Sequence, residues 1–380
     1  MKELFQGLIG GKKPLTAPRL KVKKSYIYLV AGLSILTLLA VFYLPINNSL
    51  TVPRGEMLSA AEKMEKAIHT LRKYRKEENL PIDPTVDPNR TGFIGRERTG
   101  ITTTLGDLEA KRTTTNPNFA ALMVLLMKEA GVSERKTVAI GASGSFPGAI
   151  IATVSAAEAI GVRPVIIYSL GSSMWGANLK ELTILDMHEL LRKQGIISSD
   201  VEAVSLGGQG DAATGMAKET RKKLIRKIRE SQSRLVLGSS LQDSVQKRME
   251  FYHGRAPRQI EAFVNIGGAV ANMGTSANIL QLNPGINRPA KLPPREKRGV
   301  IYSMAEKDVP VIHILNIKGL ALRYQLSWDP VPLPQPGEGA IFDARSNKPL
   351  LFWLVFAAFF GTLFFGLIVI FRTRTRSKPK

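Results

Sequence analysis

The chain has 380 residues, and its 53 Lys and Arg outnumber its 31 Asp and Glu to give a net charge of +22. A hydrophobic content of 44% and a charged content of 22% are those of a globular protein, which excludes a disordered or collagen-like polymer. Because the chain has no cysteine, it cannot form disulfides, thiolate metal sites, iron–sulfur clusters or a cysteine nucleophile. Imidazole chemistry is left to four histidines, which are His69, His188, His253 and His313.

Two uncharged apolar segments, 26–44 and 350–371, are each long enough to cross a hydrocarbon core of about 30 Å as a helix. The ends outside them, 1–25 and 372–380, are strongly basic, which predicts that both ends lie in the cytoplasm. We therefore expect a two-pass protein of the cytoplasmic (inner) membrane whose large domain, 46–349, is extracytoplasmic. A cleaved signal peptide is the alternative for the first segment, although no small-x-small cleavage site follows it.

Basic residues are also in excess outside the two tails, which together carry only half of the net charge of +22. A surplus of this size on the outer domain favours a polyanionic partner, such as anionic lipid, a wall polymer or an acidic polypeptide. A soluble surface with a basic bias is the other interpretation. Nucleic acid is not expected as a partner, since it would require the domain to face the cytoplasm.

The outer domain begins with an amphipathic helix at 57–76, within a membrane-proximal segment 55–78, whose apolar residues recur every three or four positions. A turn-rich segment follows, and Asn116-Pro117 then starts a helix that ends at Gly131. Beyond it, strands are predicted at 137–140, 164–168, 201–205, 234–237, 262–266 and 311–315, and helices at 149–160, 179–193 and 213–231.

This alternation of strands and helices predicts an α/β domain with a parallel sheet of the doubly wound type. The strands are continuous apolar runs, as expected where helices cover both faces of a sheet. Near the end of the domain, the Pro-rich segment 329–349 predicts a stalk that leads back to the membrane.

Loops rich in glycine and serine follow four predicted strands, at 141–148, 169–173, 207–211 and 265–268. Ligands usually bind at this edge of a parallel sheet, because glycine lets backbone N–H groups approach them and helix N-termini attract carboxylate or phosphate. Tight strand-to-helix turns need glycine in any case, so a purely structural role is the alternative. The candidate ligand-binding residues are Gly141, Gly144, Gly207, Gly208, Asn265, Gly267 and Gly268.

Ser143 and Ser145 occupy a strand–turn–helix segment, in which a serine nucleophile can lie beside backbone oxyanion donors. The alternative is that both serines bond a turn or cap the helix, since the segment does not match Gly-x-Ser-x-Gly. The candidate partners for acyl transfer are His188, His253, Asp186 and Asp211. No nucleotide fingerprint is complete and no histidine pair has the spacing of a zincin helix, so neither a cofactor nor a metal is predicted.

The segment 216–234, which overlaps the predicted helix 213–231, carries eight basic residues against two acidic ones. Its Leu224, Ile225 and Ile228 fall on one side, which leaves a basic face. That face is either an ordinary solvated surface or a track for a polymer with one carboxylate per residue. The candidate polymer-binding residues on it are Arg221, Lys222, Arg226 and Arg229.

Four short motifs, together with the two-anchor layout, resemble those of a known family. They are Thr102-Thr103-Thr104-Leu105-Gly106-Asp107, Thr115-Asn116-Pro117-Asn118-Phe119, Gly141–Gly148 and Asn265–Ala269. With these motifs the chain resembles, over most of its length, the poly-gamma-glutamate system protein family. Members are associated with the ligase and the small membrane subunit that polymerise and export poly-gamma-glutamate, so the resemblance implies these proteins and the polymer as partners. No catalytic residues are established for the family, and none are carried over.

The sequence leaves two main functions open, and with them the question of whether the chain is an enzyme. The first is a non-catalytic component of synthesis or export that binds and guides the nascent polyanion. The second is an extracytoplasmic serine hydrolase or transpeptidase that trims, releases or anchors the polymer through Ser143 or Ser145. A weaker third function is generic binding to a wall polymer or to anionic lipid.

Overall fold

The structure is a computed structural model that describes residues 53–256 and 259–343, with scattered residues in 28–37 and 354–368. The chain divides into two compact units, one formed by Met1–Leu50 and Ala344–Lys380 and the other by Thr51–Asp343. In the first unit the described residues are helical.

Much of the predicted span 26–44, about half of the span 350–371 and all of both basic tails lie outside the described residues. Among the residues that are described, none belongs to a helix with both the length and the apolar character needed to cross a membrane. The two-pass arrangement therefore stays a prediction.

The unit formed by Thr51–Asp343, called the central unit below, consists for most of its length of helices that alternate with strands of a sheet. The helices are α1 (Arg54–Glu77), α2 (Leu108–Thr113), α3 (Asn118–Glu129), α4 (Pro147–Ile160), α5 (Ile184–Lys193), α6 (Lys218–Glu230), α7 (Leu241–Arg255), α8 (Val270–Met273), α9 (Val300–Ala305) and α10 (Ile317–Tyr324). The strands are β1 (Thr102–Thr104), β2 (Thr137–Ser143), β3 (Arg163–Ser169), β4 (Ser172–Ser173), β5 (Val201–Ser205), β6 (Arg234–Val236), β7 (Ile260–Ile266), β8 (Gly285–Asn287) and β9 (Val311–Ile314).

Seven strands form the central sheet in the order β6-β5-β3-β2-β7-β9-β8. The first six are parallel, and β8 runs antiparallel to β9 at one edge. The first strand of this sheet along the chain is β2, and β3, β5 and β6 are then added in turn on one side of it. The chain next crosses to the other side of β2, where β7 pairs with it. The order therefore reverses between β2 and β7, which is where parallel α/β sheets open a crevice for ligands.

Alternate residues of the strands point into two hydrophobic cores, one on each face of the sheet. In β2, Val138 and Ile140 belong to one core and Ala139 to the other. Residues of α1, α3, α4, α5, α6 and α10 contribute to the first core, and residues of α7 and α9 to the second. The predicted α/β class with a mostly parallel sheet is confirmed, and the double coverage explains why its strands are apolar throughout.

The predicted helix at 57–76 is confirmed as α1, whose apolar stripe is buried and packs against α3 and α4. Two helices begin later than predicted. The helix α5 starts at Ile184 instead of 179, because the Asp186 carboxylate accepts the Thr183 N–H at 2.6 Å and so caps the helix there. The helix α6 starts at Lys218 instead of 213, because the preceding turn contains several residues with positive φ.

The first part of the predicted Pro-rich stalk, up to residue 343, makes contacts with the central unit. The amide of Asn118 donates to the carbonyl oxygens of Gln335 and Glu338, both at 2.9 Å. The Asn89 amide donates to the Pro330 carbonyl oxygen at 2.8 Å. The predicted stalk residues 344–349 lie outside the described residues.

Candidate functional site

A cleft of about 440 Å³ opens at the C-terminal ends of the central strands, at the point where the strand order reverses. The loops after β2, β3, β5, β7 and β9 contribute to its lining, and the small parallel ladder of β1 and β4 forms another part of the wall. We call it the serine cleft, after the side chains on which its chemistry depends: Lys111, Ser143, Ser145, Ser169 and Ser173.

The amine of Lys111 is buried in the wall of the serine cleft, where the side chain is only 1% exposed. Its Nζ donates to the carbonyl oxygen of Ser145 and, at 2.5 Å, to the Oγ of Ser173. It also lies 4.0 Å from the centre of the Phe146 ring, a cation–π distance. Among the described residues no carboxylate lies within ion-pair distance of this amine.

Burial lowers the pKa of Lys111 from 10.5 to about 7, and the negative charge of Asp107 opposes the shift only in part. Asp107 is itself tied to the start of α2, because its Oδ1 accepts the Ala110 N–H at 3.1 Å. At neutral pH, therefore, the protonated and neutral forms of Lys111 are both populated. The protonated form can bind an anion, and the neutral form can take a proton.

The short helix α2 is held in place by residues near the end of the central unit. Arg112 forms a bidentate ion pair with the carboxylate of Asp329. The backbone N–H of Asp329 in turn donates to the Thr113 Oγ1 at 2.9 Å. The indole N–H of Trp328 donates to a Glu109 carboxylate oxygen at 3.1 Å. These contacts fix the helix that carries Lys111 into the serine cleft.

Two loops are joined to each other beside Lys111. The Ser173 N–H donates to the Ser145 Oγ at 3.0 Å, and the Ser172 hydroxyl donates to the Gly144 carbonyl oxygen at 2.9 Å. A Cβ on Gly176 would lie 2.3 Å from the Ser172 Oγ, so only glycine allows this close approach. The predicted residues Ser145 and Gly144 thus meet Ser173, which the sequence reasoning did not single out.

The hydroxyl of Ser143 lines the serine cleft and has no hydrogen-bond partner among the described residues, although the side chain is only 4% exposed. Gly267 has a φ of +80°, and a Cβ there would lie 2.5 Å from the Ser143 Oγ. Asn265 shapes this turn, because its amide donates to the Gly267 carbonyl oxygen at 3.0 Å. Gly267 therefore leaves the space into which the Ser143 hydroxyl projects.

An ion pair between Asp211 and Arg248 is buried next to the serine cleft. The Arg248 Nη2 lies 2.9 Å from the Asp211 Oδ2, and both side chains are almost fully buried. The same Nη2 donates to the Oγ atoms of Ser169, at 2.9 Å, and Ser205, at 2.6 Å. Asp211 is bound to Arg248 and, within the described part of the chain, makes no hydrogen bond to Ser143 or Ser145, so its predicted catalytic partnership with them gains no support.

The structure does not bring the predicted histidine partners to the serines. Both ring nitrogens of His188 are engaged, Nδ1 with the Tyr168 hydroxyl at 2.9 Å and Nε2 with the Ser199 carbonyl oxygen at 2.8 Å. Burial lowers the pKa of His188 to about 4, so it is neutral at physiological pH. His253 is exposed on α7, and Asp186 pairs with Lys227 at 2.5 Å.

The other predicted glycines divide between packing and the serine cleft. Gly208 and Gly268 line the cleft, and Gly207 belongs to the turn before Gly208. Gly141 instead lies inside β2, where a Cβ would come within 2.9 Å of the Tyr252 hydroxyl. The role of Gly141 is therefore close packing against α7, and it does not reach the cleft.

The predicted basic helix is α6, which buries Leu224 and Ile228 and exposes much of its charge. Lys222, Arg226 and Arg229 are exposed, and Arg221 is half-buried. The first two are partly neutralised, Lys222 by Glu219 at 3.1 Å and Arg226 by Glu230 at 3.8 Å. None of these four basic residues lines the serine cleft in the described structure.

Sequence reasoning missed Lys111, Ser173 and Arg248. A signal existed for Ser173, which belongs to a glycine- and serine-rich loop after a strand. No comparable signal marks the other two residues. Within the described residues, no group of three or more His, Asp or Glu is placed to hold a metal ion.

No protein-family model, no curated protein and no solved structure matches the chain. The resemblance to the poly-gamma-glutamate system protein family therefore remains a prediction.

Proposed function

We propose that the chain is a membrane-anchored, extracytoplasmic component of a poly-gamma-glutamate synthesis and export system, which binds the nascent polymer through the serine cleft. One observation carries the proposal: a buried lysine amine, without a carboxylate partner among the described residues, lines a cleft where ligands of parallel sheets bind. A polymer carboxylate would supply the missing negative charge. The ligase and the small membrane subunit would deliver the polymer to this site.

A second feature supports an anionic ligand in the serine cleft. The helix α4 starts directly behind Ser145 and Phe146, with Pro147 in its first turn and no side chain capping it. The N–H groups of such a first turn lack partners within the helix and carry a partial positive charge. The amine of Lys111 and this helix end act in the same direction on a carboxylate.

Titration of the full chain in nanodiscs with fluorescently labelled poly-gamma-glutamate tests the binding. Lys111→Met removes one buried charged contact of about 1.5–3 kcal/mol, so the affinity should fall about 10- to 100-fold. Lys66→Met, which removes an exposed lysine of α1 outside both the serine cleft and α6, is the matched control. The affinity should rise as pH falls from 8 to 6, because protonation of Lys111 precedes that of the polymer carboxylates.

Reversal of Arg221, Lys222, Arg226 and Arg229 to Glu separates the serine cleft from the basic face of α6. If α6 guides the polymer, the reversals should lower the affinity at low salt and have little effect at high salt. Binding that ignores pH, salt, Lys111→Met and the four reversals would refute the proposal. A neutral polymer of equal length should not compete.

The proposed location is tested separately. Protease added to cells with an opened outer envelope should digest residues 46–349 and spare both basic tails. Digestion of the tails with protection of residues 46–349 would show the opposite orientation. The domain would then lie in the cytoplasm, where it could not bind an extracytoplasmic polymer.

A second candidate function, trimming or transfer of the same polymer by a serine hydrolase or transpeptidase, is favoured by a specific observation. The Lys111 Nζ lies 2.5 Å from the Ser173 Oγ. The two atoms are in hydrogen-bond contact, which a base and the hydroxyl that it deprotonates require.

A further inference from the structure

A serine hydroxyl attacks an amide only when a neighbouring group takes its proton. Histidine does not fill that role in the serine cleft, whose described lining contains none. His188 and His313 are buried and bonded elsewhere, and His69 and His253 lie exposed on α1 and α7. The Asp211 carboxylate accepts from Ser205 and Ser169 but is held in the ion pair with Arg248, whereas the Lys111 amine contacts the Ser173 hydroxyl and has no ion-pair partner among the described residues.

A lysine can act as a base only when its amine is neutral, which requires a site that disfavours the charge. The serine cleft supplies this condition by burying Nζ without an ion-pair partner among the described residues. A neutral amine keeps two N–H donors and one lone pair. One N–H can donate to the Ser145 carbonyl oxygen, while the lone pair accepts the hydroxyl proton of Ser173, which lies 2.5 Å away.

The three serines have different surroundings, and these differences assign their roles. Lys111 touches the hydroxyl of Ser173 but only the carbonyl oxygen of Ser145. The Ser145 Oγ accepts the Ser173 N–H at 3.0 Å, which leaves its own hydrogen free to donate. The Ser143 hydroxyl is buried and unpartnered among the described residues, and Ser143 lines the cleft.

We propose that Ser173 is a nucleophile and Lys111 its general base, with the hydroxyls of Ser145 and Ser143 as donors to the oxyanion that forms during acyl transfer. The identification of the acyl group as γ-glutamyl rests on the proposed function. The nucleophile is thus neither of the serines that the sequence pattern indicates.

In the first step the Ser173 Oγ attacks the amide carbonyl carbon while its proton passes to the Lys111 Nζ. The C–O bond forms, the C–N bond breaks, and the Lys111 ammonium gives its proton to the departing amine. In the second step a water molecule, or an amine in transpeptidation, attacks the ester carbonyl carbon and loses a proton to Lys111. The ester bond to Ser173 breaks and its Oγ regains that proton, so no net charge or electrons are gained or lost.

A fluorophosphonate probe, which reacts with activated serines, tests the pair in the full chain in nanodiscs. Mass spectrometry of the labelled peptides should place the probe on Ser173, and the labelling rate should rise with pH about a midpoint near 7. Lys111→Met and Lys111→Arg should each slow labelling by about 100-fold or more, since a general base contributes factors of that size. Ser303→Ala, which alters a helix serine outside the cleft, should label like the unaltered chain.

Lys111→Arg separates catalysis from binding, because the guanidinium keeps the positive charge and cannot act as a base. This variant should still bind fluorescent poly-gamma-glutamate while losing its reactivity with the probe. Tryptophan fluorescence of each variant verifies that the chain is folded. Labelling of Ser143 or Ser145, labelling of Ser173 that survives Lys111→Met, or no labelling of the folded chain would each overturn the pair.

A γ-glutamyl oligomer offered to the same samples distinguishes failure of this pair from failure of the proposed function. If the pair and the function are both right, new amino groups appear and an ester-linked adduct forms on Ser173. Probe labelling of Ser173 without binding or cleavage of the oligomer would support the Lys111–Ser173 pair and refute poly-gamma-glutamate as the ligand. Binding of the oligomer without probe labelling would support poly-gamma-glutamate as the ligand and refute the pair.

Discussion

Replacing Lys111 with Met should change how the stability of the chain depends on pH. Burial lowers the pKa of Lys111 to about 7 in the folded chain, whereas the unfolded chain returns the amine to water, where its pKa is about 10.4. Between these two values the unfolded chain binds more protons than the folded chain. The free energy of unfolding therefore rises with pH in this range, and the contribution of Lys111 is least favourable below pH 7.

The size of the effect follows from the shift, since one pKa unit corresponds to about 1.4 kcal/mol. At pH 6, where both states are mostly protonated, burying the amine lowers the free energy of unfolding by about 5 kcal/mol, and at pH 9 by about 2 kcal/mol. The unaltered chain should therefore gain about 3 kcal/mol from this residue between pH 6 and pH 9. Lys111→Met should lack the gain and be the more stable chain at pH 6.

Urea unfolding of the full chain in mild detergent, followed by the fluorescence of Trp175 and Trp328, measures this difference. Lys223→Met is the control, because that lysine is exposed on α6 and its replacement should leave the pH dependence unchanged. If the unaltered chain and Lys111→Met show parallel stability curves from pH 6 to pH 9, the amine is not desolvated as described. The case for a neutral lysine in the serine cleft would then be lost.

Three further predictions concern the surroundings of the serine cleft. Arg248→Met leaves the buried Asp211 carboxylate unpaired and should lower the free energy of unfolding by about 3–5 kcal/mol, of which Asp211→Asn in the same chain should restore part. A loss below about 1 kcal/mol would contradict the buried pair. Gly267→Ala should cost about 2–3 kcal/mol through its positive φ and its clash with Ser143, and Ser143→Ala should relieve only the clash in a double-mutant cycle. Burial lowers the pKa of His313 from 6.5 to about 4, so this residue should lower the free energy of unfolding by about 2 kcal/mol on going from pH 7.5 to pH 5, as the unfolded chain takes up the proton. In urea unfolding, the free energy of unfolding of His313→Asn should fall less between these pH values than that of the unaltered chain. An equal fall would refute the lowered pKa of His313.

The sheet was predictable from the sequence because its strands are buried on both faces. A segment such as 164–168 is apolar throughout and ends at a glycine-rich loop, and both properties follow from helices covering the sheet. The same loops marked the edge at which the serine cleft opens. Topology could not be predicted, because the reversal between β2 and β7 depends on which strands pair.

The chemistry of the serine cleft was much less predictable. Lys111 lies on a helix of six residues, too short for a hydrophobic period to show that it faces inward. Its meeting with Ser173 depends on the pairing of β1 with β4, strands of three and two residues that carry no pattern of their own. Arg248 lies on the buried face of α7 together with Ser244. Because this face contains polar residues, the sequence shows no clear apolar periodicity from which the helix could be predicted.

His188 shows the opposite error, since a signal in the sequence spoke against a catalytic role. It follows Ile184 by four residues and precedes Leu191 by three, so it stands on the apolar stripe of α5. A histidine at such a position usually bonds within the core, as His188 does with Tyr168.

The fastening of α2 by Trp328 and Asp329 has a consequence for a chain that is still being synthesised. Every strand of the central sheet lies before residue 315, yet the contacts that hold the helix bearing Lys111 come later. A growing chain can therefore complete its sheet before the residues that hold α2 have been synthesised. The aspartate that pairs with Arg112 lies 217 positions further along the chain. We expect the helix that bears Lys111 to be among the last parts of the domain to be held in place.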